Sequence, residues 1–168
     1  MTASPPAIRA ATAEDAPAIA QLIADVASEF ILAEVTPEAR ALFLATHDST
    51  AIARFINGSF RYHIAECAGR IVGVVGVRDN AHLYSLFVSK PFQGQGVGRR
   101  LWQHAVQECL GLGNPGAFTV NSSLNAVAAY ARLGFSASDG AQVRDGISFV
   151  PMNLNLTAGT ADASRRID

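Results

Sequence analysis

The sequence predicts a single α/β domain, an α+β arrangement with one mixed β-sheet flanked by helices. Three observations carry this. A chain of 168 residues fits one domain, and 49% hydrophobic residues can bury a sizeable core. Apolar residues recur at spacings of three and four through the first third, then switch to the two-residue period of strands. Helical and strand-like stretches then alternate to the end, as expected of a sheet covered by helices.

Residues Ala7 to Ala11 read as a short first strand. A helix opens at Thr12-Ala13-Glu14-Asp15, where Thr12 can cap, acids occupy the first turn and Pro17 falls early enough to be tolerated. Ile19, Leu22, Ile23, Val26 and Phe30 give that helix an apolar face. Thr36-Pro37-Glu38 opens a second helix, and Ser49 to Ile56 forms a third that Asn57-Gly58 ends. Arg61 to Cys67 and Arg70 to Val77 are strand-like around a turn at Ala68-Gly69, and His82 to Val88 is a further strand after Asp79-Asn80. Val97 to Leu110 is helical and is followed by a loop containing Gly111, Gly113, Asn114, Pro115 and Gly116. Ala117 to Asn121 is a strand, Leu124 to Leu133 a helix stopped by Gly134, and Ile147 to Leu156 a closing strand. The domain therefore spans residues 1–156. Residues 157–168 are small and polar, and a disordered tail is expected there.

Net charge is −1, which gives no general attraction to nucleic acid or to anionic membranes. No apolar run approaches the roughly 20 residues that span a bilayer, and the first residues lack the basic and apolar regions of a signal peptide. Cys67 and Cys109 lie far apart without metal-type spacing and read as buried thiols of a reducing compartment. A cytoplasmic protein is the expectation, with no metal, no nucleic-acid partner and no membrane partner. A homodimer is left open.

The segment from Ser89 to Trp102 places Gly94, Gly96 and Gly98 directly ahead of a helix. Glycine carries a large backbone entropy cost, so such a run implies close approach to the backbone. Successive amides pointing into one concavity, beside a helix N-terminus, bind phosphate. A Walker loop needs Gly-Lys followed by Ser or Thr, whereas this chain has Gly98-Arg99-Arg100. A dinucleotide fingerprint needs G-x-G-x-x-G, whereas the spacing here is G-x-G-x-G. The pattern Q-x-x-G-x-G remains, formed by Gln93, Gly96 and Gly98.

That pattern resembles the pyrophosphate loop of the GNAT superfamily of acetyl-CoA-dependent N-acetyltransferases. Other segments are similar in family order: "IVGVVGV" resembles its third strand, "LYSLFVSKPFQGQGVGRRLW" its fourth strand, loop and helix, and "VNSSLNAVAAYARLGF" a later strand and helix. The resemblance is close over about residues 70 to 135 and loose over about 7 to 155. It implies a strongly twisted mixed sheet whose parallel neighbours splay into a V around the pantetheine arm. It also implies that acetyl-CoA is the cosubstrate and that acetyl passes to a primary amine by direct attack in a ternary complex.

For the cosubstrate, the resemblance points to the loop Gln93, Gly94, Gln95, Gly96, Val97 and Gly98. The backbone of Leu86, Phe87 and Val88 would pair with pantetheine and the acetyl oxygen. Arg99 would contact phosphate, with a solvated helix turn as the plainer alternative. Asn121 and Asn125 would bond the pantetheine amides, although Asn125 also suits a local role in a first helical turn.

Acetyl transfer needs a neutral amine, a polarised carbonyl and a protonated leaving thiolate. The resemblance makes Tyr130 the general acid; otherwise it is a core aromatic at helical spacing with Val127 and Leu133. His82 is a candidate base, against a solvated strand-edge histidine and a water relay. Strict alternation puts His82, Tyr84, Leu86 and Val88 on one face of their strand. No role is argued for His63. The resemblance implies that the acceptor, small molecule or peptide, meets the first two helices and their loops, including Glu29, Phe30, Glu34 and Phe43. A non-catalytic CoA-binding sensor and a nucleotide-binding module are the competing readings.

Overall fold

The computed structural model describes residues 4–156, so the expected tail at 157–168 lies outside the described residues. Eight strands form one sheet: β1 (Ala7–Ala10), β2 (Phe60–Cys67), β3 (Arg70–Arg78), β4 (His82–Val88), β5 (Ala117–Ser123), β6 (Ser136–Ala137), β7 (Gln142–Arg144) and β8 (Ile147–Asn155). Five α-helices accompany them among the described residues: α1 (Ala16–Phe30), α2 (Pro37–Thr46), α3 (Ser49–Ile56), α4 (Val97–Gly111) and α5 (Val127–Arg132). The spatial order is β1-β2-β3-β4-β5-β8-β6, with β7 also pairing β8. Among these pairings only β4 with β5 is parallel. No helix among the described residues is long and apolar enough to cross a membrane.

The helix starts follow their capping chemistry. Thr36 Oγ1 accepts from the Ala39 amide at 3.2 Å, and Asp48 Oδ1 accepts from the Ala51 amide at 2.8 Å. The expected cap at Thr12 takes another form. A 3₁₀ turn over Ala13–Asp15 leads straight into α1, and the Asp15 carboxylate accepts from the Thr12 amide at 2.8 Å. Arg9 grips the same carboxylate with two 2.9 Å bonds and reaches Glu66 at 3.0 Å, tying the first helix to the sheet edge.

Both sheet faces are covered, as the amphipathic faces require. Ile19, Leu22 and Ile23 of α1 and Ile52 of α3 bury against Tyr62, Ile64 and Val74. On the other face Leu101, Trp102, Ala105 and Cys109 of α4 bury against Ala65, Val75, Leu83, Phe118 and Val120. Burying a side chain such as Leu101 stabilises by about 1.5–3 kcal/mol relative to exposure. Both cysteines are free thiols; Cys109 is buried, but Cys67 is only half-buried, because it ends β2 one residue past the pairing with β1.

Two departures from the sequence reading matter for the site. β4 does not alternate strictly. Gly76 faces Ser85 while Val77 faces Leu83, so Tyr84 is an extra residue in a β-bulge. Beyond the bulge the faces exchange: Leu86 and Val88 join Leu83 on the α4 side. Tyr84 meets Phe55 and Phe60 on the α1 side, and Ser85 shares a 3.3 Å hydrogen bond with the Tyr62 hydroxyl there. The expectation that Tyr84, Leu86 and Val88 share a face is thus corrected. The second departure is β6 and β7, which the sequence reading left unassigned. β7 and β8 form a hairpin whose turn, Asp145-Gly146, has φ of +53° and +78° at its two central residues.

Candidate active site

β4 and β5 pair only at His82–Thr119 and Leu83–Val120 and then separate. A polar clasp holds the closed end. Asn114 Nδ2 donates to the carbonyls of Asn80 (2.7 Å) and Ala117 (3.0 Å), while its Oδ1 accepts from the Gly116 and Ala117 amides. His82 belongs to this end, where its Nδ1 and Thr119 Oγ1 share a 2.7 Å hydrogen bond. Beyond Leu83 the β5-facing edge of β4 carries no strand among the described residues. The gap is a cleft of about 430 Å3, bounded by Leu86, Phe87 and Val88 on one wall and by Asn121, Ser123 and Tyr130 on the other.

The glycine loop stands at the mouth of this cleft. Gly94 and Gly96 take φ of +74° and +83°, the left-handed region that suits glycine. A Cβ added at either would meet nothing within 4 Å, so the loop leaves open space there. Gly98 lies inside α4, and a Cβ there would sit 3.6 Å from Val88, an ordinary contact. Gln93 Nε2 donates to the Val88 carbonyl at 2.9 Å, and Gln95 Nε2 to that of Pro91 at 3.0 Å, bracing the loop against the end of β4. The first amides of α4, at Val97, Gly98 and Arg99, lie outside its intrahelical ladder. With the helix dipole they form a site for an anion.

The other sequence candidates are distributed as follows. Tyr130 lines the cleft and packs edge-on against Phe135 at 5.8 Å; burial pushes its hydroxyl up to about 12. Asn121 lines the cleft from β5. Asn125 also lines it, but its Nδ2 donates to the Phe30 carbonyl at 2.7 Å, linking α5's approach to the end of α1. Arg99 turns away, donating to the Arg132 carbonyl at 3.3 Å. His82 is not among the residues lining the cleft, since its strand position lies in the paired, closed end. Burial and the nearby Arg78 hold its imidazole below the ordinary value.

A histidine that the sequence reading passed over does line the cleft. His47 follows α2 and stacks between Phe43, at 4.1 Å, and Tyr84, at 5.5 Å. Its Nδ1 lies 2.8 Å from the Phe43 carbonyl, which selects the Nδ1–H tautomer and leaves Nε2 as an acceptor. Burial holds its pKa below 6.5. Phe43, His47 and Tyr84 also line an adjoining cavity of about 280 Å3 that reaches Arg144 and Asp145. The sequence reading named Phe43 on the acceptor side, but nothing in the sequence joins it to His47 and Tyr84, because the bulge at Tyr84 brings its ring to α2. Glu29 and Glu34 line an adjoining cavity of about 480 Å3 that shares Phe30, Ser123 and Asn125 with the cleft, and Lys90 pairs with Glu29 there.

Comparison with known proteins agrees with this geometry. A family model described as an acetyltransferase (GNAT) domain matches residues 31–156. A GCN5-related N-acetyltransferase from Rhodopseudomonas palustris has a similar structure, with TM-score 0.76 and 25% identity over 93% of this chain and 99% of that one. PaiA N-acetyltransferase from Thermoplasma acidophilum, solved with coenzyme A, has TM-score 0.76 and 14% identity over 89% and 98% of the two chains. The YncA protein of Salmonella typhimurium, solved with acetyl-CoA, has TM-score 0.66 and 22% identity over 91% and 95%. No curated protein matches in sequence. A family match across most of the chain, on a sheet that opens between its two parallel strands beside a glycine loop, makes this protein a member of the GNAT acetyltransferase family.

Proposed function

We propose that the cleft holds acetyl-CoA and that the protein transfers its acetyl group to a primary amine by direct attack in a ternary complex. The observation that carries this reading is the unpaired edge of β4, leading to the left-handed glycines at the start of α4. The solved relatives with bound coenzyme A and acetyl-CoA share this fold. In this reading the amides of the Gln93–Gly98 loop take the pyrophosphate. The β5-facing backbone of Leu86, Phe87 and Val88, beyond the paired end of β4, takes the pantetheine arm and polarises the thioester carbonyl. Asn121 serves the pantetheine amides, and Asn125 orders the cleft wall through Phe30.

In the reaction the amine nitrogen bonds to the carbonyl carbon and the carbon–sulfur bond breaks. One proton leaves the amine and one joins the departing sulfur. A protonated alkylamine has a pKa near ~10.4, so an acceptor for its proton is required. His47 offers Nε2 within the cleft, held neutral by burial, and takes the base role in this reading in place of His82. Tyr130 stays protonated and donates a hydrogen bond to the sulfur as charge develops. Its hydroxyl at about 12 lies above a thiol near ~8.5, so complete proton transfer from it is uphill. The hydrogen bond is therefore its main contribution, and the proton reaches sulfur through solvent. The aromatic wall of Phe43, His47 and Tyr84 receives the acceptor. The test is thiol release from acetyl-CoA against a panel of amines. Thiol release that no amine accelerates would reject transfer and leave a CoA-binding domain. Equal thermal stabilisation by CoA, ATP and NAD would reject the cosubstrate itself.

A further inference from the structure

On the sheet face covered by α4, β2 and α4 bring three metal-ligand side chains together. His63 lies on β2, while His104 and Glu108 stand one turn apart on α4 and share a helix face. One ligand atom from each lies within 4.8 Å of the other two. The two imidazole rings meet at 4.6 Å with a 67° angle between planes. His63 is 6% exposed, and its buried Nδ1 has no hydrogen-bond partner among the described residues. A buried polar atom left unpartnered is costly, so native structures usually give it a partner or an ion. None of the three residues lines the cleft.

We propose that His63, His104 and Glu108 form a binding site for a divalent cation of the Zn2+ type. Two imidazole nitrogens and one carboxylate oxygen suit zinc, whereas Mg2+ and Ca2+ favour oxygen donors. Tetrahedral zinc, with bonds near ~2.0–2.1 Å, sets its ligand atoms roughly 3.3 Å apart. Half-buried His104 and exposed Glu108 have the freedom to close that difference onto the buried His63. Three protein ligands leave one position for water. Arg61, exposed and two residues before His63 on the same strand face, is the charge that opposes the cation; the Glu108 carboxylate offsets it. The site departs from the expectation of no metal, and sequence spacing concealed it because His63 lies on a strand far before His104. A bound cation would fasten β2 to the helix whose first turn carries the glycine loop.

The test uses the full chain stripped with a chelator, then titrated with ZnCl2 or MgCl2 by calorimetry and thermal denaturation. One Zn2+ per chain is expected. At a hundredfold excess over Kd the melting temperature should rise by about 5–10 °C. MgCl2 should give no comparable shift. His104→Ala and Glu108→Gln alter side chains at the solvent side of α4, and each should weaken Zn2+ binding by more than about tenfold. The metal-free melting temperature of each variant reports whether it folds. Absence of Zn2+ binding by the wild-type chain, or wild-type affinity in both variants, would overturn the site.

Discussion

Replacing Gly96 by alanine separates backbone strain from ligand approach. Gly96 has φ +83° and ψ +7°, and an added Cβ would meet nothing within 4 Å. The cost to the folded state is therefore conformational, about 1–2 kcal/mol for a left-handed non-glycine residue. For a chain of this size that lowers the melting temperature by roughly 2–8 °C. Gly113 provides the comparison. It has φ +96° and equally open surroundings, but it follows the other end of α4. A helix of 15 residues places the two ends about 22 Å apart. Gly113→Ala should lose similar stability and leave coenzyme A binding unchanged. Gly96→Ala should in addition weaken coenzyme A by at least tenfold, about 1.4 kcal/mol, because the methyl group occupies the space that the phosphates need. Calorimetric titration with coenzyme A, beside thermal denaturation of both variants, reads the two effects independently. Wild-type affinity in Gly96→Ala would refute close approach of the ligand to this backbone.

Further expectations follow from the same geometry. Tyr130→Phe keeps the ring against Phe135 but removes the donor; kcat should fall about a hundredfold with coenzyme A affinity within a factor of about two, and an unchanged kcat would leave Tyr130 a packing residue. His47→Gln should flatten the acid limb of the kcat/KM profile: the base must be neutral, its pKa is held below 6.5 by burial, and the wild-type rate therefore falls only as pH drops below that value. His82→Ala measured in parallel should keep the limb, and loss of it in that variant instead would return the base role to His82. Asp15 is held down to about 2 by its hydrogen bonds from Arg9, against an unfolded value of 3.8. Its stabilisation is complete above 3.8, is lost as pH falls from there to about 2, and should be missing from Asp15→Asn, so acid melting curves of the two proteins should converge near pH 2.

The glycine loop was legible because its requirement is local. A chain that must present successive amides at a helix start needs glycine at particular positions, and Gly94 and Gly96 are contiguous enough to be seen without knowing the fold. The helix start at Thr36 was legible for the same reason, since a cap lies three residues from the amide it accepts, whereas the sequence reading began α3 at Ser49 without naming its cap, Asp48. The order of strands and helices followed from periodicity within short segments, and the family from the resemblance of the Gln93–Gly98 loop and its neighbouring segments. Asp145-Gly146 carried a local hairpin signal that the sequence reading did not use. The part of the cleft wall formed by His47 and Tyr84 was not legible. Strict alternation along β4 fails at Tyr84 because the strand's register against β3 inserts an extra residue there, and register depends on a partner distant in sequence. That one residue turns Tyr84 toward His47 and Phe43, while the pairing of His82 with Thr119 closes the sheet at the other candidate histidine. His63 had no visible role for a similar reason: its neighbours at that site come from a helix that meets β2 only in the folded sheet. The sequence by itself determined the elements and the glycine loop, whose requirements lie within one turn of chain. Tertiary structure decided which side chains face the cleft, because facing is set by strand register and helix packing across long separations.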